Sequence, residues 1–339
     1  MKFGVMYDFR NPRAWARPYP ELYQSLFDQI VRLEELGFDN VWLTEHHFFE
    51  DGYNPALLPT AAAIAARTRR IRIGSFILLL PFHAPVRVAE DVTCVDIVSN
   101  GRFDFGVGQG YRAEEFAALK IPRTERTARL REGIELIRRL WTEPSVTFSG
   151  KFTQVQELSL HPKPVQQPHP PIWIGARTEK AARRAARMGF HLMATLGPDP
   201  AIPYYDELKR VGRDPAQFSV AQLRAVYVAK SADQAWAEAA PHLHYMMENY
   251  GHWLAEANDA AGDQHVWDFA SPDEIRNSPV ADSLMIGTPA ECIRKMEDFR
   301  RSYACTHFIM ATQLPGLDPR RTKASLELFA AEVMPHFRG

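Results

Sequence analysis

The sequence predicts an α/β fold, a TIM (β/α)8 barrel with insertions, carried as a single domain over residues 1–339. Three observations predict it. Eight short apolar runs recur along the chain, and most are followed by a stretch of helical periodicity. Strands alternating with helices are the signature of βαβ units and a parallel sheet. Polar residues also gather just past the carboxyl ends of the runs, the face on which barrels of this kind carry their ligands.

Taken in order, Lys2–Asp8 alternates and reads as the first strand, ending at Phe9-Arg10-Asn11-Pro12. Tyr19–Leu36 carries a helical stripe of Leu22, Leu26, Ile30, Leu33 and Leu36, with Gly37 as its stop. The next strands are Asn40–Thr44, Ile71–Leu80 and Arg102–Val107, with helices over Pro55–Thr68 and Pro85–Val98 between them. A Gly-rich turn and Arg112–Leu119 precede a helix over Glu125–Trp141, its apolar face on Leu130, Ile134, Ile137 and Leu140. Residues 142–171 break the rhythm with a hairpin around Ser149-Gly150 and a proline-rich crossing, and read as an insertion within one domain. Strands resume at Ile172–Ile174, Phe190–Thr195 and Val220–Lys230, with helices at Thr178–Met188, Ile202–Val211 and Ala232–Tyr250. Gly251–Leu284 is long and polar, the character of a structureless active-site lid or of a plain surface excursion. Thr288–Ser302 reads as helix, Thr306–Thr312 as the eighth strand and Pro319–Phe337 as the closing helix.

Hydrophobic residues at 46% and charged ones at 24% describe a water-soluble globular chain. A formal net charge of -1 gives no reason to expect nucleic acid or an anionic membrane as partner. Cys94, Cys292 and Cys305 form neither a disulfide framework nor a CxxC pair, which suits a reducing cytoplasm. The longest apolar run, Phe76–Phe82, is too short to span a bilayer, and no signal pattern opens the sequence. The expectation is a cytoplasmic protein.

Glu45-His46-His47 follows VWLT at a strand end. Neighbouring strand side chains point in opposite directions, so the two imidazoles cannot share one ligand unless the backbone turns. With no HExxH and no HxH, no metal is expected. A single imidazole at a strand end is a good general acid or base, and serves as readily as a hydrogen-bonded structural residue. FGVGQGY, Phe105–Tyr111, has GxGxG spacing with Tyr111 where a dinucleotide fingerprint needs its last glycine, so no nicotinamide domain is expected. Its glycines imply close approach of the backbone to something flat or bulky, or tight strand-to-loop packing. Gly175-Ala176-Arg177-Thr178 lies between a strand and a helix start, where exposed N–H groups bind phosphate. Arg126 and Arg129 open a nearby helix and face either the same anion or solvent.

Together, EHHFFEDG, LLLPFHAPVRVAEDVTCVDIVSNGRFDFGVGQG and PPIWIGARTEKAARRAARMG, in this order and spacing, resemble the luciferase-like flavin monooxygenases, the family of the bacterial luciferase α subunit. The similarity runs from Lys2 to about Met193 and returns at LMIGTPAECIRKMEDF and in the last strand and helix. The resemblance implies a barrel holding flavin at the carboxyl ends of its strands. It implies His46 beside the reactive edge of the ring with Glu45 as its neighbour, and a non-proline cis bond at Phe76-Ile77 supporting the ring from behind. It places Gly175, Ala176, Arg177 and Thr178 on the phosphate loop, with Arg126 or Arg129 pairing the phosphate. Three departures stand out: Gly108 where luciferase has a reactive cysteine, Gln109 in place of a phosphate-binding arginine, and Ala84 in place of a histidine, with His83 one residue off. Some relatives use the deazaflavin F420, which the departures leave open.

The implied activity is a monooxygenase taking reduced FMN from a separate flavin reductase, with O2 as second substrate and a C4a-hydroperoxide as oxidant. The substrate is a small organic molecule in a pocket walled by Tyr7, His47, Tyr111 and the run Phe76–Leu80. The alternatives are an F420-dependent dehydrogenase, a non-catalytic flavin-binding accessory subunit and, last, a metal-dependent barrel hydrolase. A homodimer through helices Pro55–Thr68 and Pro85–Val98 is also expected.

Overall fold

A computed structural model describes residues 1–194, 199–257 and 267–338. Its strands are β1 (Lys2–Tyr7), β2 (Asn40–Leu43), β3 (Arg72–Ser75), β4 (Leu78–Leu79), β5 (Phe103–Gly108), β6 (Val146–Ser149), β7 (Gln154–Leu158), β8 (Ile172–Ala176), β9 (His191–Ala194), β10 (Val220–Val228), β11 (Met285–Gly287) and β12 (His307–Ala311). The helices are α1 (Tyr19–Glu35), α2 (Leu57–Arg67), α3 (Pro85–Ser99), α4 (Ala113–Ala118), α5 (Arg126–Thr142), α6 (Glu179–Met188), α7 (Ala201–Arg210), α8 (Ala232–Ala257), α9 (Pro272–Arg276), α10 (Pro289–Ser302) and α11 (Pro319–Leu328).

Eight strands close on themselves in the order β1-β2-β3-β5-β8-β9-β10-β12, every pairing parallel, and β12 returns to β1. This is the expected TIM barrel. Side chains alternate in and out along each strand. Phe3, Val5 and Tyr7 of β1 point outward into the layer beneath the helices, while Met6 joins Trp42, Phe76, Trp173, Met193 and Ile309 inside the barrel. Trp42 fills that interior because its neighbours on β1 and β3 are glycines. A Cβ on Gly4 would stand 2.7 Å from the Trp42 indole nitrogen, and one on Gly74 would stand 2.2 Å from its ring.

The long run Ile71–Leu80 becomes two strands, β3 and β4, separated by a cis bond between Phe76 and Ile77. The expected hairpin in residues 142–171 is the antiparallel pair β6–β7, and the proline-rich crossing carries cis bonds at His161-Pro162 and Gln167-Pro168.

The structureless lid over Gly251–Leu284 is corrected where the chain is described. Helix α8 runs on through Gly251 to Ala257, and α9, a 3-10 turn at Pro279–Ser283 and β11 occupy Pro272–Gly287. The part of that segment at 258–266 lies outside the described residues. The physical reason is apolar burial: Trp236, Leu243 and Met247 of α8 pack with Ile275, Leu284 and Ile286 into a satellite core, and Trp253 is buried further along the same helix.

Candidate active site

The end of β2 turns so that three consecutive side chains part company. His46 is buried, with Nδ1 2.8 Å from Glu115 Oε1 and Nε2 3.3 Å from the Tyr111 hydroxyl. The same Glu115 oxygen accepts the His47 backbone N–H at 2.8 Å. A carboxylate only accepts, so in the neutral imidazole the proton sits on Nδ1 and Nε2 faces the Tyr111 hydroxyl as an acceptor. Rings wall this imidazole: Tyr53 at 4.8 Å, Trp253 at 5.2 Å, Tyr111 at 5.4 Å and Tyr250 at 6.4 Å between centroids. Tyr53 and Tyr250 join their hydroxyls at 2.9 Å. Burial pushes the phenols of Tyr53 and Tyr111 well above their ordinary value and that of Tyr250 up to about 12, so all three remain proton donors.

Glu45 does different work. Its Oε2 accepts the Leu79 N–H at 2.6 Å and its Oε1 lies 2.7 Å from His83 Nε2. Burial alone would raise its carboxyl, yet hydrogen bonds from His47 and His83 and from the Leu79 backbone outweigh it and hold it at about 2. The His83 imidazole, lowered by burial, is carried above its ordinary value by Glu45. Glu45 is therefore ionised and fully engaged. Expected beside His46 as a catalytic residue, it instead ties β4 to the end of β2 through Leu79 and to His83.

Ile77 lies across two glycines. A Cβ at Gly108 would fall 1.8 Å from Ile77 Cδ1, and one at Gly175 would fall 2.8 Å from it. A side chain at Gly108 would therefore have to displace Ile77. Beyond Gly175 and the buried Ala176, Thr178 caps α6 by accepting the Ala181 N–H at 3.3 Å. Arg177 is exposed beside that cap, and its charge bears on the Tyr111 hydroxyl. Gln109 Oε1 accepts the Thr127 hydroxyl at 2.7 Å, which leaves its amide N–H groups to donate. Arg129 is committed to Glu125 at 2.9 Å and stacked on Phe152 at 4.4 Å, while Arg126 is half-buried at the start of α5.

Two expected pocket residues are corrected. Tyr7 is on the outward face of β1, its hydroxyl donating to Gln29 Oε1 at 2.6 Å, because strand alternation gives the inward position to Met6. His47 turns away from the ring-walled side toward Glu45, Phe82 and His83, so that Glu45, His47 and His83 bring their ligand-type atoms within 4.8 Å of one another. The residues that sequence reading missed are Glu115, Tyr53, Tyr250, Trp253 and a second buried pair, Arg10 with Asp51 at 2.5 Å. The stripe Leu243, Met247, Tyr250, Leu254 continues past Gly251 and was the available signal for the wall on α8.

Among the described residues, no helix is long and apolar enough to cross a membrane. The sequence profile of the luciferase-like monooxygenases matches residues 1–306. The oxygenase component of a flavin-dependent trigonelline monooxygenase from Acinetobacter baylyi is 27% identical over 337 residues, covering 93% of this chain and 91% of that protein. An F420-dependent glucose-6-phosphate dehydrogenase from Amycolatopsis mediterranei is 30% identical over 332 residues, covering 93% and 95%. The crystal structure of a Streptomyces bottropensis monooxygenase superposes with a TM-score of 0.83 at 27% identity, covering 99% of this chain and 100% of that one. Barrel, strand-end imidazole and full-length relatives agree: the chain belongs to the luciferase-like monooxygenases, a family of oxidoreductases whose relatives found here use flavin or F420.

Proposed function

We propose that the chain is a monooxygenase that uses reduced FMN, delivered by a separate reductase, and O2 to oxygenate a small organic substrate. One observation carries this reading: an imidazole with a fixed proton, held by Glu115, inside a water-poor wall of four aromatic rings. When bound, the flavin supplies the electrons and the site of oxygen activation. Ile77, laid over Gly108 and Gly175, offers its ring a flat apolar bed with no Cβ in the way. The capped N-terminus of α6, with Arg177 and the Gln109 amide, suits its phosphate.

The chain's own residues exclude water and manage protons. His46 Nε2 takes or returns a proton at the reacting edge, and the Tyr111 phenol stands against it as a donor. Arg10 and Arg112, the cations of the ring wall, already face Asp51 and Glu114. A phosphate-bearing sugar thus finds these two cations already matched by carboxylates, whereas an apolar organic molecule finds rings.

A second reading, F420-dependent hydride transfer, rests on Gln109, which puts a neutral amide where the flavin enzymes carry an arginine. The engaged His46–Glu115 pair speaks against a non-catalytic accessory subunit. Oxygen uptake decides between the two chemistries. Anaerobic titration with reduced FMN and with reduced F420, followed by admission of O2, is expected to show tight binding of reduced FMN and one O2 consumed per flavin. Binding of F420 alone, with no oxygen uptake, would overturn the proposal. A cytoplasmic homodimer is part of the same proposal, with Ile97 and Val98 of α3, 40% and 50% exposed, as its apolar contact.

A further inference from the structure

Arg10 follows β1 at the mouth of the barrel, and its side chain is 0% exposed. Its Nε is spent on Asp51 at 2.5 Å, but neither Nη1 nor Nη2 has a hydrogen-bond partner. Unpaired nitrogens on a fully buried cation are among the costliest things a fold can retain, and native structures seldom leave them unanswered. The faces of the guanidinium are sealed by Phe49, Tyr53, Tyr245 and Trp253, each 5.2–5.6 Å from its carbon. Its edge, with Nη1 and Nη2, is the part left without a partner. Tyr53 and Trp253 are also the two rings packed most closely on His46, so the same pair of rings lies against both the guanidinium and the imidazole.

The charge around Arg10 selects what that partner is. Two carboxylates bear on the one guanidinium: Asp51 by direct contact, and Asp8 through its charge, its Oδ1 accepting the Arg10 backbone N–H at 3.1 Å. A ligand carboxylate or phosphate would add a third negative group to a buried site holding one cation, at a steep cost in a low dielectric. A neutral carbonyl oxygen accepts both N–H groups and adds no charge. Resting on the monooxygenase reading above, we propose that Arg10 is the substrate anchor of this site, and that the substrate is an uncharged, flat organic molecule held by a carbonyl oxygen on Nη1 and Nη2. Asp8 and Asp51 then act as the filter that turns organic acids away. Burial raises the Asp8 carboxyl to about 6, against the opposing pull of Arg10, so this filter weakens in mild acid.

The competing explanation is a trapped water. A cavity of about 10 Å³ bounded by Asp8, Arg10, Trp15 and Gln313 has room for one.

The experiment uses the full-length protein loaded with FMN and three probes sharing one ring: acetophenone, benzoate and phenyl phosphate, each titrated at pH 7.5 by flavin difference spectra. Acetophenone is expected to bind at least about tenfold more tightly than either anion, and Arg10→Met to weaken it about tenfold while FMN affinity stays within twofold. Asp8→Asn, which preserves the shape and the acceptor to the Arg10 N–H, is expected to strengthen benzoate binding about fivefold and leave acetophenone unchanged. This second variant keeps Arg10, so the proposal is tested even if Arg10→Met fails to fold. Benzoate binding as tightly as acetophenone, an unchanged acetophenone affinity in Arg10→Met (a trapped water only), or no binding of any probe would each overturn it. Because FMN affinity and oxygen uptake are read separately, failure here is distinguishable from failure of the monooxygenase reading.

Discussion

Two carboxylate–imidazole pairs stand back to back at the end of β2, Glu45 with His83 at 2.7 Å and Glu115 with His46 at 2.8 Å. By residue type and distance they are the same object. They differ in what else they hold. Glu45 spends its other oxygen on the Leu79 N–H, and the His83 side chain is 31% exposed. Glu115 leaves Oε2 with no partner, and the His46 side chain is 6% exposed and faced by rings. On the function proposed above, the saturated pair open to solvent is a strut and the unsaturated pair kept dry is the one poised for chemistry. Saturation and surroundings, more than composition, separate the two roles.

The comparison breaks most readily at His46. His46→Ala is expected to bind reduced FMN within about twofold of the native affinity and to lose at least about 100-fold in turnover, the low end of general acid–base contributions. Unchanged turnover in a steady-state assay would merge the two pairs into one structural class. Next comes Glu115→Gln, with an expected loss of about tenfold in turnover at unchanged flavin affinity and partial recovery in Glu115→Asp. Imidazole 15N spectra should report a single Nδ1–H tautomer in the native protein and a mixture in the variant. A purely structural carboxylate would leave that signal alone.

On the strut side the effect shifts to stability. Glu45→Gln removes the charge from a buried pair and is expected to cost about 3 kcal/mol in chemical denaturation. The pH window sharpens the assignment. Glu45 is depressed from 4.5 to about 2 in the fold, so its contribution is present above 4.5 and lost as pH falls toward 2. His83 is raised above 6.5, so its contribution is full below 6.5 and lost as pH climbs through its folded value. The melting-temperature gap between native protein and His83→Ala should therefore be widest between pH 4.5 and 6.5 and narrow on either side. A flat gap would mean that the pair carries no charge.

The barrel was legible in the sequence because each strand is an apolar run of the right length and each helix a stripe of the right period. Met6 and Tyr7 show the limit: both are apolar neighbours, and only the closed sheet decides which of them faces inward. His46 was legible through its place at a strand end. Glu115 was not, since Glu114 and Glu115 stand side side by side on a short helix and the sequence gives no reason to choose between them. Arg10 with Asp51 and Trp253 with His46 are contacts between distant parts of the chain, set by tertiary packing that no local pattern encodes.

The wall over His46 has a practical corollary. Tyr250 and Trp253 ride on the last turns of α8, whereas His46 and Glu115 are held at the end of β2 and on α4. If the proposed function holds, selectivity and reactivity reside on separately exchangeable stretches of polypeptide. A library confined to those helical turns is then expected to recruit new molecules while His46 keeps its native setting.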